Sequence, residues 1–307
     1  MNCEGGVKRL LLAIVLCIPA EAFAQPAAQG STPSSCDHLF TTDEARARAE
    51  KWINSWNAHN ADGVMALYTP DFEFRAHGVL SSPRISHPSG ILRGHADNRL
   101  RWFGDGDDSQ STRRFGWIGH FTGVRSAAVH YNGPNSRVVA EVSEYAPNCL
   151  IERSSALYQP HVPVAYKPAR PQDLPIPPSR GRCDFVVASP LANELADAWI
   201  AAWNAHDATA IKPLYTPDFV MQAPDIVTDR RHGNPDGVLK GWQVNRAHWF
   251  VADRVRRDYR LIGTFSTVRS IAIHYEAKGS GVEYLEVLEL TPDCKIERAN
   301  RLYRPVA

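Results

Sequence analysis

The first strong pattern along the chain is an apolar stripe with helical spacing. Ala45, Ala49, Trp52, Ile53 and Trp56 fall on one face of residues 42–59. This spacing predicts an amphipathic helix whose apolar face packs against a core. Thr42 is the expected N-cap, and the acidic residues at 43 and 44 suit the positive end of the helix dipole.

The same helical pattern returns later in the chain. Leu195, Trp199 and Trp203 recur at four-residue steps after Ser189, the expected cap, and Pro190, which suits the first helical position. A short second helix is expected to end at 68–70 in the first region and at 215–217 in the second. Third helices are expected around 95–103 and 242–250.

After the helices, the pattern changes to the two-residue alternation of β-strands. Phe115, Trp117, Gly119 and Phe121 share one face, and segments 125–132, 137–145 and 150–158 continue the alternation. Helices followed by a run of antiparallel strands predict the α+β class, with a curved antiparallel sheet packed on N-terminal helices.

Much of this pattern is present twice because the chain contains a long repeat. WINSWNAHNADGVMALYTPDF at 52–72 recurs as WIAAWNAHDATAIKPLYTPDF at 199–219, 147 positions later. A repeat of this length is the size of a whole domain, which predicts two tandem domains. We expect a first copy at 36–160, a proline-rich linker at 161–182 and a second copy at 183–307, after a disordered segment at 25–35.

The segment before the first copy has the features of an export signal. Lys8 and Arg9 precede the apolar run 10–19, and residues 22–24 (Ala-Phe-Ala) fit a cleavage site after Ala24. A lipoprotein signal centred on Cys17 is the weaker alternative, because Leu16 stands where a small residue is wanted. No other apolar stretch approaches the ~20 residues of a membrane helix. We expect a periplasmic or secreted protein without a membrane span.

The net charge restricts the classes of binding partner, and the cysteines indicate disulfide bonds. With 34 Lys+Arg and 33 Asp+Glu the net charge is +1, which argues against a nucleic-acid partner. Beyond the signal, each copy carries one matching cysteine pair, so the repeat predicts the disulfides Cys36–Cys149 and Cys183–Cys294. Each would stabilise its domain by about 4–5 kcal/mol in the chain-entropy model. The cysteine spacing fits no zinc site, so no metal is expected.

These motifs resemble a known family. The order W-x3-WNAH(D/N)-x7-LYTPDF, then G-x3-G-x4-R, then strands that end in I-E-R, is similar to SnoaL-like proteins of the nuclear transport factor 2-like superfamily. The resemblance covers nearly all of both copies and implies two cone-shaped domains. Related domains often pair through their sheets, which implies an intramolecular pseudo-dimer. The fold hosts isomerases, cyclases, dehydratases, epoxide hydrolases and non-catalytic binders, so it does not define a function.

The resemblance also allows the chemistry of ketosteroid isomerases to be tested by position. Where those enzymes place a helical tyrosine, this chain has Trp52 and Trp199, and where they place the catalytic base it has Ala76 and Ala223. Because alanine cannot accept a proton, standard ketosteroid isomerase activity is not expected. The late-strand acid alone has counterparts, Glu141 and Glu286. An Asp–Arg–Asp set of the epoxide-hydrolase kind, shared by both copies, is not found.

The remaining catalytic candidates are a histidine and a glutamate on neighbouring strands of each copy. By analogy with SnoaL-like cyclases, His130 with Glu141, and His274 with Glu286, would move a proton in an apolar pocket. The structural alternative is a histidine bonded to backbone and a glutamate that pairs with Arg125 or Arg269 or faces water. Histidines at 77 and 120, present in the first copy alone, make that copy the better candidate for an active site.

The aromatic residues of the helices and first strands are the candidates for lining a ligand pocket. These residues are Trp52, Tyr68, Trp102, Trp199, Tyr215 and Trp249, although each also fits a plain core position. We therefore hypothesise an exported protein that binds a small apolar or amphipathic molecule, with cofactor-independent acid–base chemistry of the isomerase or lyase type. A non-catalytic periplasmic binding or interaction module, with side chains filling the pockets, is the alternative.

Overall fold

The computed structural model describes residues 35–106, 113–134, 137–159, 181–230, 233–252 and 258–306. The predicted signal, almost all of the segment 25–35 and almost all of the linker 161–182 lie outside these ranges, so those predictions stay untested. Within the described ranges, no helix is long and apolar enough to cross a membrane.

Seven α-helices form in the described residues, six where the sequence predicts a helix and one, at Pro224–Thr228, where it predicts none. They are α1 (Thr42–Asn57), α2 (Ala61–Met65), α3 (Gly94–Phe103), α4 (Ser189–Ala205), α5 (Ala208–Ile211), α6 (Pro224–Thr228) and α7 (Trp242–Ala247). The cap of α1 is Thr41 rather than Thr42: its hydroxyl accepts from the amide of Glu44, whose carboxylate accepts from the Thr41 amide. In α4 the cap position belongs to Ala188, and Ser189 is already helical. Each start is therefore one residue earlier than predicted.

The described residues contain twelve strands, ten of which correspond to the alternating segments and the two Tyr-Thr-Pro motifs. They are β1 (Tyr68–Arg75), β2 (Ile91–Arg93), β3 (Gly116–Gly123), β4 (Ser126–Asn132), β5 (Val138–Tyr145), β6 (Ile151–Gln159), β7 (Tyr215–Gln222), β8 (Val238–Lys240), β9 (Tyr259–Thr267), β10 (Ser270–Ala277), β11 (Val282–Leu290) and β12 (Ile296–Pro305). The motifs predicted to end the second helices instead begin β1 and β7. These two strands pair in parallel with β6 and β12.

The strands of both copies join into one closed barrel. Antiparallel pairing links β3 to β6 in order and β9 to β12 in order. The barrel closes where Tyr158 of β6 pairs with Ser266 of β9, and where Tyr303 of β12 pairs with Thr122 of β3. The α+β class is confirmed. The sequence predicted one curved sheet in each copy, whereas the eight long strands share a single barrel.

Barrel closure buries both faces of the central strands. One face packs on the helices, in separate apolar clusters for the two copies. The other face fills the barrel interior with Phe121, Leu157, Phe265 and Leu302, among others. As a result, six successive residues of β4, from Ser126 to Tyr131, are buried. Such strands lack a polar face that could indicate their orientation.

Ion pairs between the two copies lie at one end of the barrel. Arg298 of β12 binds Glu144 of β5 through both terminal nitrogens, each at 2.6 Å. In the matching position, Arg153 of β6 lies 3.0 Å from Glu289 of β11, which also lies 3.1 Å from Arg75 of β1. These five residues, with Glu73, form what we call the interface cluster. Its three acids and three arginines balance one another.

Both predicted disulfides are formed. Cys36 is bonded to Cys149, and Cys183 to Cys294. Each bond ties the residues before the long helix of its copy to the turn before the last strand. The pairing inferred from the repeat is therefore confirmed, and it fits an oxidising compartment.

Candidate functional site

The structure does not bring together the histidine and the glutamate that were predicted to act as a pair. They do lie on neighbouring strands, but β4 and β5 align Val129 with Glu141, and His130 with Ala140. Side chains alternate between the two faces of a sheet, so His130 and Glu141 point in opposite directions. In the second copy, Glu286 aligns with Ile273, and His274 with Leu285. The proposed His–Glu proton relay is wrong in both copies.

The two histidines meet inside the barrel instead. The rings of His130 and His274 lie 6.0 Å apart, and His130 also packs against Phe265 at 5.6 Å. His274 bonds the carboxylate of Glu283 at 2.8 Å. The first copy has Val138 at the position of Glu283, and within the described residues neither ring nitrogen of His130 has a hydrogen-bond partner.

Burial and nearby positive charge keep His130 neutral. Burial, followed by the charges of Arg304 and His274, lowers the pKa of His130 to about 4. For His274, burial lowers the pKa, with Glu283 opposing that effect. A histidine that resists protonation in an apolar barrel is a poor proton carrier at neutral pH. Its position is structural.

This environment predicts a pH-dependent stability difference for His130→Leu. Between pH 6.5 and about 4 the unfolded chain gains a proton at His130 that the folded chain excludes, so acid destabilises the parent. The leucine variant lacks this effect. Its stability relative to the parent should therefore rise by about 3 kcal/mol from pH 7 to pH 4. Urea unfolding of both proteins at several pH values measures the difference, and a constant difference would show that His130 is solvated.

Glu141 points to the other side of the sheet, into a cavity of about 240 Å³ in the first copy. α1 and α3 contribute the indole rings of Trp52, Trp56 and Trp102, and the strands contribute Phe74, Tyr131 and Tyr158. The volume lies just below the range of about 300–1,000 Å³ that is typical of drug-sized ligands. The cavity therefore suits a compact apolar molecule.

The environment of Glu141 raises its proton affinity. Its side chain is buried, with 2% of the residue exposed, and the Ser154 hydroxyl donates a hydrogen bond to it. Burial raises the pKa of Glu141 to about 7, against the opposing effects of Ser154 and of the positive charge of Arg101. The carboxyl can thus accept or donate a proton near neutral pH. The structural alternatives for Glu141, a pair with Arg125 or exposure to water, do not apply. The carboxyl is buried, and Arg125 bonds Tyr145 and Glu152 instead.

The equivalent glutamate of the second copy is held in an ionic network. Arg301 donates from Nε to Glu286 at 2.7 Å and from Nη1 to Asp225 at 3.2 Å. His248 extends this network, since Nε2 lies 3.4 Å from Asp225 and Nδ1 lies 2.8 Å from Asp229. Although burial opposes it, the charges of Arg301 and His248 hold the pKa of Asp225 below its usual range. Glu286, Arg301 and Asp225 thus form a buried acid–arginine–acid set in this copy.

Apart from the shared glutamate, the first copy has different residues at the positions that build this network. Ala156 stands where the second copy has Arg301, Gly78 where it has Asp225, and Arg101 where it has His248. Ala156 and Arg101 both line the cavity. The two copies therefore share the glutamate but differ in its surroundings. In the first copy it lies beside an open cavity, and in the second it is held by internal ion pairs.

The aromatic candidates are divided between the cavity and the core. Trp52 and Trp102 line the cavity, whereas Tyr68 lies behind it and accepts a hydrogen bond from Trp52 at 2.9 Å. Trp199, Tyr215 and Trp249 belong to the core of the second copy, where Trp199 bonds Tyr215 at 2.9 Å. In the described residues, no group of three or more His, Cys, Asp or Glu side chains is placed to hold a metal ion.

Sequence reasoning missed Arg101 and Ser154, which both act on Glu141. It searched for functional residues among positions that the copies share, and these two positions are occupied by His248 and Ala299 in the second copy. The pattern in the sequence that could have indicated these residues is an acid shared by both copies, Glu141 and Glu286, at which neighbouring positions differ.

Comparisons with known proteins give one clear relationship. No family model and no curated protein matches the chain. A SnoaL-like protein of unknown function from Burkholderia thailandensis is 35% identical, and the alignment covers 98% of that protein and 39% of this chain, with a TM-score of 0.36. An NTF2-like protein of unknown function from Cytophaga hutchinsonii is 14% identical, and the alignment covers 90% of that protein and 37% of this chain, with a TM-score of 0.29. A steroid delta-isomerase from Pseudomonas aeruginosa is 15% identical, and the alignment covers 80% of that protein and 37% of this chain, with a TM-score of 0.29.

Proposed function

Since the chain belongs to the SnoaL-like proteins of the nuclear transport factor 2-like superfamily, we propose that its first copy binds a small molecule next to Glu141 and exchanges a proton with it. The family supplies the fold, and the site has to supply the function. The observation that carries the proposal is a buried carboxyl with a pKa of about 7 on the wall of an apolar cavity.

The chemistry that fits this arrangement is proton transfer without a cofactor. An ionised Glu141 would accept a proton from an acidic C–H or O–H group of the ligand, and the protonated form would return it elsewhere on the same molecule. The aromatic walls would exclude water and hold the ligand close to the carboxyl. Ala76, fully buried, stands at the base position of ketosteroid isomerases, so Glu141 would have to act as the base from a different strand.

The proton transfer can be tested with an enolisable ketone of suitable size, 2-tetralone. In D₂O near pH 7 the chain is expected to accelerate deuterium uptake at the carbon next to the carbonyl, followed by proton NMR. Glu141→Gln retains the shape of the side chain but cannot accept the proton, so the acceleration should fall by about 10²–10⁴-fold. Glu50→Gln, which changes an exposed acid that pairs with Arg46 on α1, is the matched control.

Two outcomes would contradict different parts of the proposal. If 2-tetralone binds in calorimetry but exchanges no faster than in buffer, the cavity is a binding site without acid–base function. If Glu141→Gln exchanges as fast as the parent and as Glu50→Gln, the proton acceptor is another group.

We propose a different role for the second copy. Its glutamate is already neutralised by Arg301, which supports the non-catalytic reading for this half of the chain. Its strands complete the barrel, so it would act as the partner of the first copy in an intramolecular pseudo-dimer of two SnoaL-like domains. Two disulfides together with the signal-like segment 1–24 support export to the periplasm or beyond, with cleavage near Ala24.

A further inference from the structure

The cavity beside Glu141 is lined by cations as well as aromatic rings. Arg101 contributes to its wall from the last turn of α3, and Arg113 and Arg137 also line it. Among the described residues that line the cavity, Glu141 is the only carboxylate, and burial raises its pKa to about 7. The lining therefore has an excess of positive charge.

Arg101 is held in place by an aromatic ring. Its guanidinium lies over the ring of Phe74, 5.1 Å from the centroid. Its Nε atom is buried, and within the described residues that atom has no hydrogen-bond partner. Neither Arg101 nor Arg137 forms an ion pair in the part of the chain that the structure describes. Burial lowers the pKa of Arg101, and Tyr158 and Glu141 oppose that effect without cancelling it.

The second copy indicates what the first copy lacks. At the position of Arg101 it has His248, and two carboxylates, Asp225 and Asp229, lie against that ring. The first copy has Gly78 and Ser82 at the positions of those acids. Gly78 lies so close to the guanidinium that a Cβ atom there would be 2.8 Å from Nη2 of Arg101. The first copy thus has an arginine at this position, without the two carboxylates that face His248 in the second copy.

We propose that the cavity selects compact apolar molecules that carry one anionic group, a carboxylate or an equivalent oxyanion, and that Arg101 is the residue that binds this group. The anion takes the place that the aspartates occupy in the second copy. The ring system of the ligand lies against the tryptophans, next to Glu141. This inference rests on the proposed function, because it uses the same cavity, and it adds the class of ligand. A guanidinium is well suited to bind this anionic group, because its planar N–H donors match the geometry of a carboxylate.

Three probes with the same ring system test the charge selectivity: 2-naphthoate, 2-naphthalenemethanol and 2-naphthylmethylamine. Calorimetry with the full chain at low salt is expected to give at least ten-fold tighter binding for the carboxylate than for the alcohol, and the weakest binding for the amine. A hydrogen bond to a charged group accounts for a preference of this size. Raising the salt concentration should weaken the binding of the carboxylate probe alone. The effect should be smaller than salt has on an ion pair at the protein surface.

Variants on α3 assign the preference to Arg101. Arg101→Gln should lower the ratio of alcohol to carboxylate dissociation constants by about 10–100-fold. Arg101→Lys should keep part of that ratio. Arg99→Gln is the matched control, because Arg99 lies on the same helix but pairs with Asp62 outside the cavity, and it should leave the ratio unchanged. Should Arg101→Gln not fold, Arg137→Gln removes another positive charge from the lining of the cavity.

The possible failures are distinguishable. If the alcohol and the carboxylate bind equally well to the parent, or if Arg101→Gln and Arg137→Gln both leave the ratio unchanged, the anion inference is overturned while the cavity proposal stands. If none of the three probes binds and 2-tetralone does not exchange, the proposed function itself fails.

Discussion

Glu289→Gln should lower the free energy of unfolding by about 3–5 kcal/mol at pH 7. Glu289 is the acid on which the interface cluster converges, at 3.1 Å from Arg75, 3.0 Å from Arg153 and 2.9 Å from Arg298. Only 14% of its side chain is exposed, so water cannot replace the lost charge. Glutamine would leave three arginines facing two acids between the copies.

The pH dependence of this loss has a defined sign. Burial acts to raise the pKa of Glu289, but Arg75, Arg153 and Arg298 lower it to about 2. The stabilisation by the carboxylate is therefore complete above pH 4.5 and is lost as the pH falls towards 2. The difference between Glu289→Gln and the parent should shrink over the same range.

Urea unfolding of the two proteins measures the effect, with an unchanged dependence on urea if the folded state is otherwise intact. Glu297→Gln is the control, since Glu297 lies on β12 in an exposed pair with Arg269 and should cost less than about 1 kcal/mol. A loss equally small for Glu289→Gln would mean that the cluster is solvated and contributes little to joining the copies.

Arg301→Leu is the second substitution with a large expected effect. It should cost about 3–5 kcal/mol, because Glu286, with 1% of its side chain exposed, loses its ion-pair partner and within the described residues keeps only the hydrogen bond from the Tyr275 hydroxyl. The physical cost is an unpaired buried charge rather than lost packing, since leucine fills part of the space of the arginine.

The double variant Arg301→Leu/Glu286→Leu separates these two causes. Removing both charges should recover at least half of the loss, because a buried ion pair can be replaced by apolar residues at little net cost. The four proteins of the cycle are compared by urea unfolding at pH 7. A double variant as unstable as the sum of its single variants would show that packing, not charge, requires Arg301.

The chain also shows how far a repeat can mislead the search for a site. Positions retained in both copies include the disulfides, the tryptophans and the histidines at 130 and 274, which the structure uses in the cores and the barrel. The residues that distinguish the cavity, such as Arg101 and Ala156, are those in which the copies differ. The disulfides and the barrel histidines are thus the same in both copies, whereas the side chains around the shared glutamate differ between them.

The amino-acid sequence by itself determined the α+β class, the repeat and the partners of all four disulfide cysteines. These features depend on local periodicity or on self-comparison, both of which are read along the chain. Only the tertiary structure decided that the strands close into one barrel and that His130 and Glu141 face opposite ways. Strands buried on both faces carry no alternation from which orientation could be inferred, and a shift of one residue in register exchanges the faces.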